Sequence, residues 1–343
     1  MPNTTAVRTA QVGAASFFAG KNAIINGGFD IWQRGTSVTG GNNVYTADRF
    51  STFTDSETRT VSRQVTGDTT NLPNIQYCAR FSRPSGNTGT GRLMLGGCIE
   101  TSATIPFVGQ TVTMSFYARA GANFSASSSN LSVILQYGTG TDQNVFVGFT
   151  GNTNLVNTTK TLTTTWQRFS VTATVPTSAT QLGYQVGYTP TGTAGAADYY
   201  EITGWQLELG SVPTTFTRAG GTLAGELAAC QRYYYRTGVG NGSITAAAYE
   251  PLGYGSFSSS TSFGGQVEFP VSMRTATSSV DFSNVAINDT ASVIAVTAAT
   301  VNQGGTKTSN LTLTVASGGT QYRFGRIVNN NNTAGYLAWS AEL

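Results

Sequence analysis

The sequence predicts an all-β protein, and its composition and length carry that prediction. Only 10% of the 343 residues are charged, whereas 41 are glycine. Threonine, tyrosine and phenylalanine suit a half-buried pleated sheet, while glycine and asparagine supply the positive φ angles of tight turns. The length corresponds to about two domains, each able to bury a core of its own. We therefore expect an antiparallel, jelly-roll-like β-sandwich, a short helical connector and a second, smaller β-sandwich domain.

The first segment, residues 1–23, is polar and built of small residues. Phe17 and Phe18 are its only bulky pair, so the segment has too few apolar side chains for a core of its own. The pattern predicts an N-terminal arm that docks on a neighbouring protein.

Residues 24–216 alternate short apolar runs with turn clusters such as residues 39–43 and 85–89, as antiparallel sandwiches do. Side chains alternate across a sheet with a period of two, which assigns an inward face to four strands. The inward sets are Val112, Met114, Phe116 and Ala118; Leu131, Val133, Leu135 and Tyr137; Phe169, Val171, Ala173 and Val175; and Leu182, Tyr184, Val186 and Tyr188.

Residues 217–236 change character and predict the helical connector. Thr222 is suited to cap a helix in which Leu223, Leu227 and Cys230 form an apolar stripe with i, i+4, i+7 spacing. A helix of about twelve residues is marginal alone, so the stripe should pack on the sandwich or on symmetry mates. The tyrosines that follow are of the kind that subunit interfaces use. The predicted oligomer interface comprises Leu223, Leu227, Cys230, Tyr233 and Tyr234.

Residues 237–343 return to alternating strands, for example Phe263, Val267 and Phe269, and predict a C-terminal β domain. Loops rich in serine, threonine, asparagine and glycine, such as residues 328–333, are where variable recognition would lie.

Catalytic chemistry has few candidates in this chain. The sequence contains no histidine, which excludes Ser-His-Asp and Cys-His arrangements. A glycosidase needs only two carboxylates, and Asp142, Asp198, Glu201 and Glu208 leave that alternative open. The favoured interpretation is that these acids are loop carboxylates and rim ion pairs. We expect a protein that is not an enzyme and has no catalytic residues.

Charge and hydropathy exclude further partners. A net charge of +3 is small and scattered, so we expect no nucleic acid as a partner. No stretch approaches the roughly twenty apolar residues of a membrane span, so we expect no membrane insertion. Cys78, Cys98 and Cys230 have neither disulfide nor zinc spacing and are expected to be reduced and buried.

Saccharide recognition requires aromatic faces that stack on sugar CH groups, together with amides or guanidinium groups that bond the hydroxyls. Side chains of this chemistry lie on the polar faces of the predicted strands. The candidate glycan-binding residues are Tyr117, Arg119, Gln136, Gln185 and, more weakly, Trp166. Gly183 and Gly187 are expected to leave room for a ligand beside Gln185. The alternative is a solvated or intersubunit face.

Three segments resemble motifs of phage fibre proteins: residues 26–35 (NGGFDIWQRG), residues 204–210 (GWQLELG) and residues 230–234 (CQRYY). Residues 269–274 (FPVSMR) resemble the Phe-Pro-x-x-Met-Arg motif of the terminal domain in that family. The resemblance covers roughly residues 24–343 in order. It implies a sandwich similar to a carbohydrate-binding module, followed by a tyrosine-rich segment and a C-terminal fibre tip.

The resemblance also implies a function. It indicates a non-enzymatic tail or head fibre of a virion, assembled in the host cytoplasm as a homotrimer, with other virion structural proteins as partners. Residues 1–23 fall outside the resemblance, and we expect them to be the arm for virion attachment. Such a protein binds host surface polysaccharide through many weak contacts that add up by avidity. Two alternatives stay open: a structural adaptor or capsid decoration protein without glycan binding, and a polysaccharide depolymerase.

Sandwiches that resemble carbohydrate-binding modules often hold a structural calcium ion, the one cofactor we consider for this chain. Asp30, Asp198 and Glu201 offer the hard oxygen ligands that calcium prefers. The favoured alternative is ordinary turn capping by these side chains, with no cofactor at all.

Overall fold

A computed structural model of the chain describes residues 20–55, 58–237, 249–332 and 334–343. Strands account for 45% and helices for 6% of these residues, which confirms the predicted all-β class. The chain divides into two compact units. The sandwich unit comprises Met1–Asp30, Ser37–Leu227 and Leu343, and the barrel unit comprises Ile31–Thr36 and Ala228–Glu342. Most of the predicted N-terminal arm, residues 1–19, lies outside the described residues.

Eleven strands build the sandwich unit within the described ranges. They are β1 (Ser37–Gly40), β2 (Ser51–Thr54), β3 (Arg59–Val65), β4 (Tyr77–Ser82), β5 (Leu93–Ile99), β6 (Thr111–Ala120), β7 (Asn130–Gly138), β8 (Thr153–Thr161), β9 (Gln167–Thr174), β10 (Gln181–Tyr188) and β11 (Tyr199–Leu209). One sheet has six strands in the order β1-β3-β4-β11-β6-β9, and the other has five in the order β2-β5-β10-β7-β8. All pairs are antiparallel, as expected for a sandwich.

The core lies between these two sheets and is rich in aromatic rings. Trp205 of β11 stacks on Phe50 with ring centroids 5.6 Å apart and meets Tyr184 of β10 edge-on at 5.1 Å. The predicted inward faces of β6 and β10 are confirmed, because Val112 to Ala118 and Leu182 to Tyr188 are buried at their alternate positions. Burial of this apolar area provides most of the driving force for the fold.

A β-bulge in β11 places the central tryptophan. Register against β6 shifts between Thr203 and Gln206, and Gly204 has a φ of +59°. Glycine adopts this angle without strain, and the extra residue moves Trp205 into the core, where it is fully buried.

Two short α-helices occur in the described chain, α1 (Thr101–Thr104) and α2 (Leu223–Gln231), and no helix there is long and apolar enough to cross a membrane. Thr222 caps α2, since its Oγ1 accepts a hydrogen bond from the Gly225 amide at 3.0 Å. The unit boundary falls inside this helix, after Leu227.

The residues of the predicted oligomer interface fall into two groups, three that are buried within the chain and two that are accessible. Cys230, Tyr233 and Tyr234 are 0%, 3% and 8% exposed within a single chain, so their packing is intramolecular. Tyr234 begins a strand of the barrel unit, and the Tyr233 carbonyl accepts a hydrogen bond from the Ala341 amide at 2.7 Å. Leu223, which is 55% exposed, and the half-buried Leu227 remain accessible.

Nine strands build the described part of the barrel unit. They are β12 (Tyr234–Arg236), β13 (Pro251–Phe257), β14 (Ser262–Glu268), β15 (Asp281–Ser283), β16 (Ala286–Asn288), β17 (Val293–Gly304), β18 (Thr308–Val315), β19 (Phe324–Val328) and β20 (Tyr336–Ser340). Strands β12, β20 and β15 form a small sheet, and β13-β14-β18-β17-β16-β19 close into a barrel.

This closure differs from the predicted second sandwich. In β16, Ala286 to Asn288 pair with Val328 to Arg326 of β19, so the six strands of the barrel have no free edge. Closure removes the unpaired backbone groups that open sheets expose. The barrel interior is filled by apolar side chains, among them Phe263, Leu313 and Ile327, each fully buried.

Candidate functional site on the five-stranded sheet

The outward face of the five-stranded sheet, called here the open face, presents three rows of side chains. Strand register sets them, because residues directly opposite on neighbouring strands share a face. The first row is Phe53, Met94, Gly187 and Ser132. The second is Gly96, Gln185, Ile134 and Asn157. The third is Cys98, Gly183, Gln136 and Asn154.

A loop between β7 and β8 covers the third row. The Val145 amide donates a hydrogen bond to the Cys98 sulfur at 2.9 Å. A Cβ added at Gly183 would lie 2.8 Å from Val145 Cγ2, and one at Gly96 would lie 3.0 Å from Phe146 Cζ. These glycines therefore allow the loop to approach the sheet closely.

The room predicted beside Gln185 is thus occupied by the protein itself at both glycines. Val145 fills the space over Gly183, and a Cβ at Gly187 would lie 2.5 Å from the sulfur of Met94. A ligand on this face must lie over the first two rows instead.

The first two rows form the floor of a cleft of about 410 Å³. Two rings make one wall, since Phe53 of β2 and Phe146 of the covering loop lie with centroids 5.9 Å apart and planes tilted by 32°. The Arg92 guanidinium lies 5.1 Å from the Phe53 ring centroid. Polar groups face this wall from Ser132, Asn157 and Gln185. The cleft thus sets an aromatic surface opposite uncharged hydrogen-bonding groups.

Two predicted residues meet at the edge of this floor, Gln185 in the second row and Gln136 in the covered third row. Gln185 Nε2 donates a hydrogen bond to Gln136 Oε1 at 2.8 Å. Gln136 is 1% exposed, so the partner is held by its surroundings. The Gln185 amide is consequently fixed in orientation, with its carbonyl oxygen making no hydrogen bond to the described part of the chain. A fixed amide can both donate to and accept from a ligand hydroxyl without first losing side-chain entropy.

The charge at the cleft rim is compensated. Arg92 Nε lies 2.9 Å from Asp55 Oδ2, with both side chains substantially exposed. Hydrogen bonding to Arg92 lowers the pKa of Asp55 from its ordinary value, and the same bond raises the pKa of Arg92. The side chains that line the cleft in the described chain include no carboxylate. Two-carboxylate hydrolysis requires an acid with a raised pKa beside a second acid, and the cleft provides neither.

Tyr117 and Arg119 lie on the other sheet and Trp166 lies directly before β9 of that sheet, so the structure does not bring the three to Gln136 and Gln185. The outward face of the six-stranded sheet around these three residues and Glu201 is called here the sealed face. Trp166 is 8% exposed, and its indole N–H donates to the Thr66 carbonyl at 3.2 Å. It joins a small apolar cluster with Leu72, Ile75, Cys78 and Phe216, against which Tyr117 packs.

Two ion pairs that share Glu201, called here the ion ladder, complete the sealed face. Glu201 pairs with Arg80 Nη2 at 2.6 Å and with Arg119 Nε at 2.5 Å, and its carboxylate is fully buried. Arg119 also lies 4.8 Å from the Trp166 ring centroid. The guanidinium and indole faces that a sugar would contact are thus engaged by neighbouring residues.

The predicted calcium ligands are likewise engaged by arginines, one each for Asp30 and Asp198 and two for Glu201. Asp30 pairs with Arg218 at 2.7 Å, and Asp198 pairs with Arg83 at 2.7 Å, both through short ion pairs. Glu201 is held by the ion ladder. The structure does not bring these three together, and no group of three or more acidic, cysteine or histidine side chains in the described chain is placed to hold a metal ion. All three cysteines are free and buried, as predicted.

The residues that sequence reasoning missed supply the aromatic wall. Phe53 lies in a strand of four residues, too short for a period of two to be recognised, and Phe146 lies in a loop. Gly96 and Gly183 were the available signal, because glycine inside a strand marks close approach of another segment.

No family model matches the sequence, and no curated protein matches it. Among solved structures, the chain is similar to a CBM4 structure at 16% identity and a TM-score of 0.33, over 54% of this chain and 98% of that chain. It is similar to TmCBM61 in complex with beta-1,4-galactotriose at 12% identity and a TM-score of 0.32, over 55% of this chain and 99% of that chain. It is also similar to the enzymatically active domain of Bacteriophage CBA120 tailspike protein 4, at 11% identity and a TM-score of 0.34, over 55% of this chain and 21% of that chain. Scores this low carry no argument about function, which depends on the geometry of the open face.

Proposed function

We propose that the open face binds a neutral saccharide, and that the protein is a non-enzymatic virion appendage that attaches to host surface glycans. The observation that carries the binding proposal is the cleft of about 410 Å³ with an aromatic pair on one side and a fixed amide on its floor.

Each part of the cleft matches a part of a sugar. The CH groups of a pyranose ring are weakly positive and are attracted to the negative faces of Phe53 and Phe146. Sugar hydroxyls both donate and accept, as do the amides of Gln185 and Asn157. Arg92 adds donors at the rim, while its charge is balanced by Asp55. A neutral hydroxylated ligand therefore satisfies this lining better than an ion would.

The wider role rests on the motif resemblance of residues 26–35, 204–210, 230–234 and 269–274 to phage fibre proteins. On that basis the protein is a homotrimer in the virion, where several copies of a weak site act together on a polysaccharide-coated surface. The exposed Leu223 is available for contact between copies.

The test removes the aromatic wall from the open face. Purified full-length protein is screened on an array of neutral and anionic oligosaccharides, and the strongest ligand is titrated by calorimetry. Phe53→Ala should weaken binding of that ligand roughly tenfold, since it removes the ring that stacks on the sugar. Gln185→Ala should weaken it several-fold without removing any aromatic surface.

Tyr199→Ala is the matched control. Tyr199 is also a partly buried ring on an outward sheet face, and the Arg80 guanidinium lies 4.1 Å from its centroid, but it belongs to the six-stranded sheet. The Tyr199→Ala variant should bind the same oligosaccharide with the affinity of the unmodified protein. If no oligosaccharide binds while labelled protein still attaches to particles, the adaptor interpretation replaces this proposal. Shortening of a bound polysaccharide during incubation would instead establish a depolymerase.

A further inference from the structure

The barrel unit carries two large aromatic rings on its outer wall. Tyr254 of β13 and Phe324 of β19 are 53% and 62% exposed, and their rings stack with centroids 6.2 Å apart and planes 14° from parallel. The register makes them diagonal neighbours on one face, because Phe324 lies opposite Ser256, two residues along β13 from Tyr254. Together they form a flat apolar platform open to solvent.

A groove of about 450 Å³ begins at this platform and crosses β14 to β18. Gly264 lies on its floor, and a Cβ added there would meet nothing closer than the Ser256 carbonyl oxygen at 3.9 Å. This differs from Gly183 and Gly96 of the sandwich unit, whose space is filled by a loop. From β19 to β18 the groove spans three strand spacings, about 14 Å.

Amide and hydroxyl groups form a second wall, which begins beside the platform because Gln266 lies directly opposite Tyr254. Gln266 and Asn310 are directly opposite each other on β14 and β18, and Thr312 lies opposite Gly264. The Gln266 amide, exposed on this wall, makes no hydrogen bond to any described residue. None of the described residues that line the groove is charged. Arg326, the neighbour of Tyr254 on β19, is not part of the lining.

We propose that this groove is a second saccharide site, independent of the open face. A pyranose ring stacks on Tyr254 and Phe324, and the adjoining sugar lies over Gly264 with its hydroxyls bonded to the amides of Gln266 and Asn310. The chemistry of the lining selects the ligand class. An apolar ligand would leave the amides unpaired, and an ion would find no opposite charge among the lining side chains, whereas a neutral glycan satisfies both walls.

The test separates this groove from the open face. Full-length protein carrying Phe53→Ala, which weakens the open face roughly tenfold, is screened on the same oligosaccharide array for glycans whose affinity this substitution leaves unchanged. Glycans that it retains should lose roughly tenfold in affinity when Tyr254→Ala is added. Gly264→Val should abolish their binding, because the isopropyl group occupies the floor while valine remains favourable in a strand.

The matched control is Tyr322→Ala, which removes a ring that is 81% exposed but does not line the groove. It should leave affinity unchanged. In crystals soaked with a retained oligosaccharide, density should appear against Tyr254 and Phe324. If Phe53→Ala weakens the binding of every glycan that the unmodified protein binds, this inference fails while the proposed function stands. If Tyr254→Ala and Gly264→Val remove all binding in otherwise unmodified protein, the groove stands and the open-face proposal fails. Absence of any glycan ligand overturns both.

Discussion

The two outward faces of the sandwich have similar side chains and opposite accessibility. Each presents aromatic rings with an arginine close to a ring centroid, Arg92 at Phe53 on the open face and Arg119 at Trp166 on the sealed face. On the sealed face the acid is Glu201, which is fully buried between two arginines. On the open face the acid is Asp55, exposed at the rim of an unfilled cleft.

This difference shows that the types of residue on a sheet face do not by themselves distinguish a candidate binding surface from a structural surface. What separates them is which connecting segment covers the sheet. Leu72, Ile75 and Phe216 lie over the sealed face and pack against its tryptophan. On the open face the covering loop packs on Gly183 through Val145 and on Gly96 through Phe146, and it leaves the rest of the first two rows uncovered. Stability is therefore expected to depend on one face and ligand affinity on the other.

The largest expected effect is on the sealed face. Trp166→Ala should lower the free energy of unfolding by about 3 kcal/mol, because it empties part of a buried cluster and strands the Thr66 carbonyl. Urea denaturation measures this change. The affinity of the variant for the glycan should be unchanged. A loss of affinity in protein that remains folded would mean that the sealed face binds ligand.

A smaller loss is expected from the ion ladder. Glu201→Gln should lower stability by about 2 kcal/mol, since it leaves Arg80 and Arg119 near each other without a counter-charge. The effect is reduced because both arginines are partly exposed to water. Asp55→Asn is the matched control, because it breaks an exposed pair and should change stability by less than about 1 kcal/mol. Equal losses for the two variants would contradict the contrast between the faces.

The smallest expected effect is that of pH on ligand binding. The pKa of Asp55 is lowered by its hydrogen bond to Arg92, and the pKa of Arg92 is raised by the same bond. The stability that Asp55 gains from this pair is therefore present above its unfolded pKa and is lost only as pH falls through the lower folded value. Both groups stay charged from about pH 5 to 9, and the chain has no histidine. Calorimetric titration across that range should give affinities within about twofold, whereas a sigmoidal change would reveal a titrating group in the cleft.

Much of the sandwich was predictable because its pattern is local. Alternation along β6 and β10 assigned the buried side chains correctly, since a period of two holds for any strand with one buried face. The capping of α2 by Thr222 followed from the same kind of local chemistry. The closed barrel was not predictable, because the pairing of β16 with β19 joins segments far apart in sequence.

The candidate site was predictable only in part. Gln136 and Gln185 were identified because both lie on polar faces of regular strands, and register then places them in adjacent rows. Tyr117 and Arg119 satisfied the same criterion but belong to the other sheet, and Trp166 lies directly before β9 of that sheet. Alternation states that a side chain points away from the core and does not state which sheet bears it or what covers it.

The sequence by itself determined the class of fold, the inward faces of the strands and the absence of histidine chemistry, because these follow from composition and from periods of a few residues. Tertiary structure alone decided which polar face stays open. That outcome depends on where the loop between β7 and β8 and the segments around Leu72 and Phe216 come to rest on the sheets. Such contacts join residues distant along the chain, so they are set by packing in space and leave no short-range pattern.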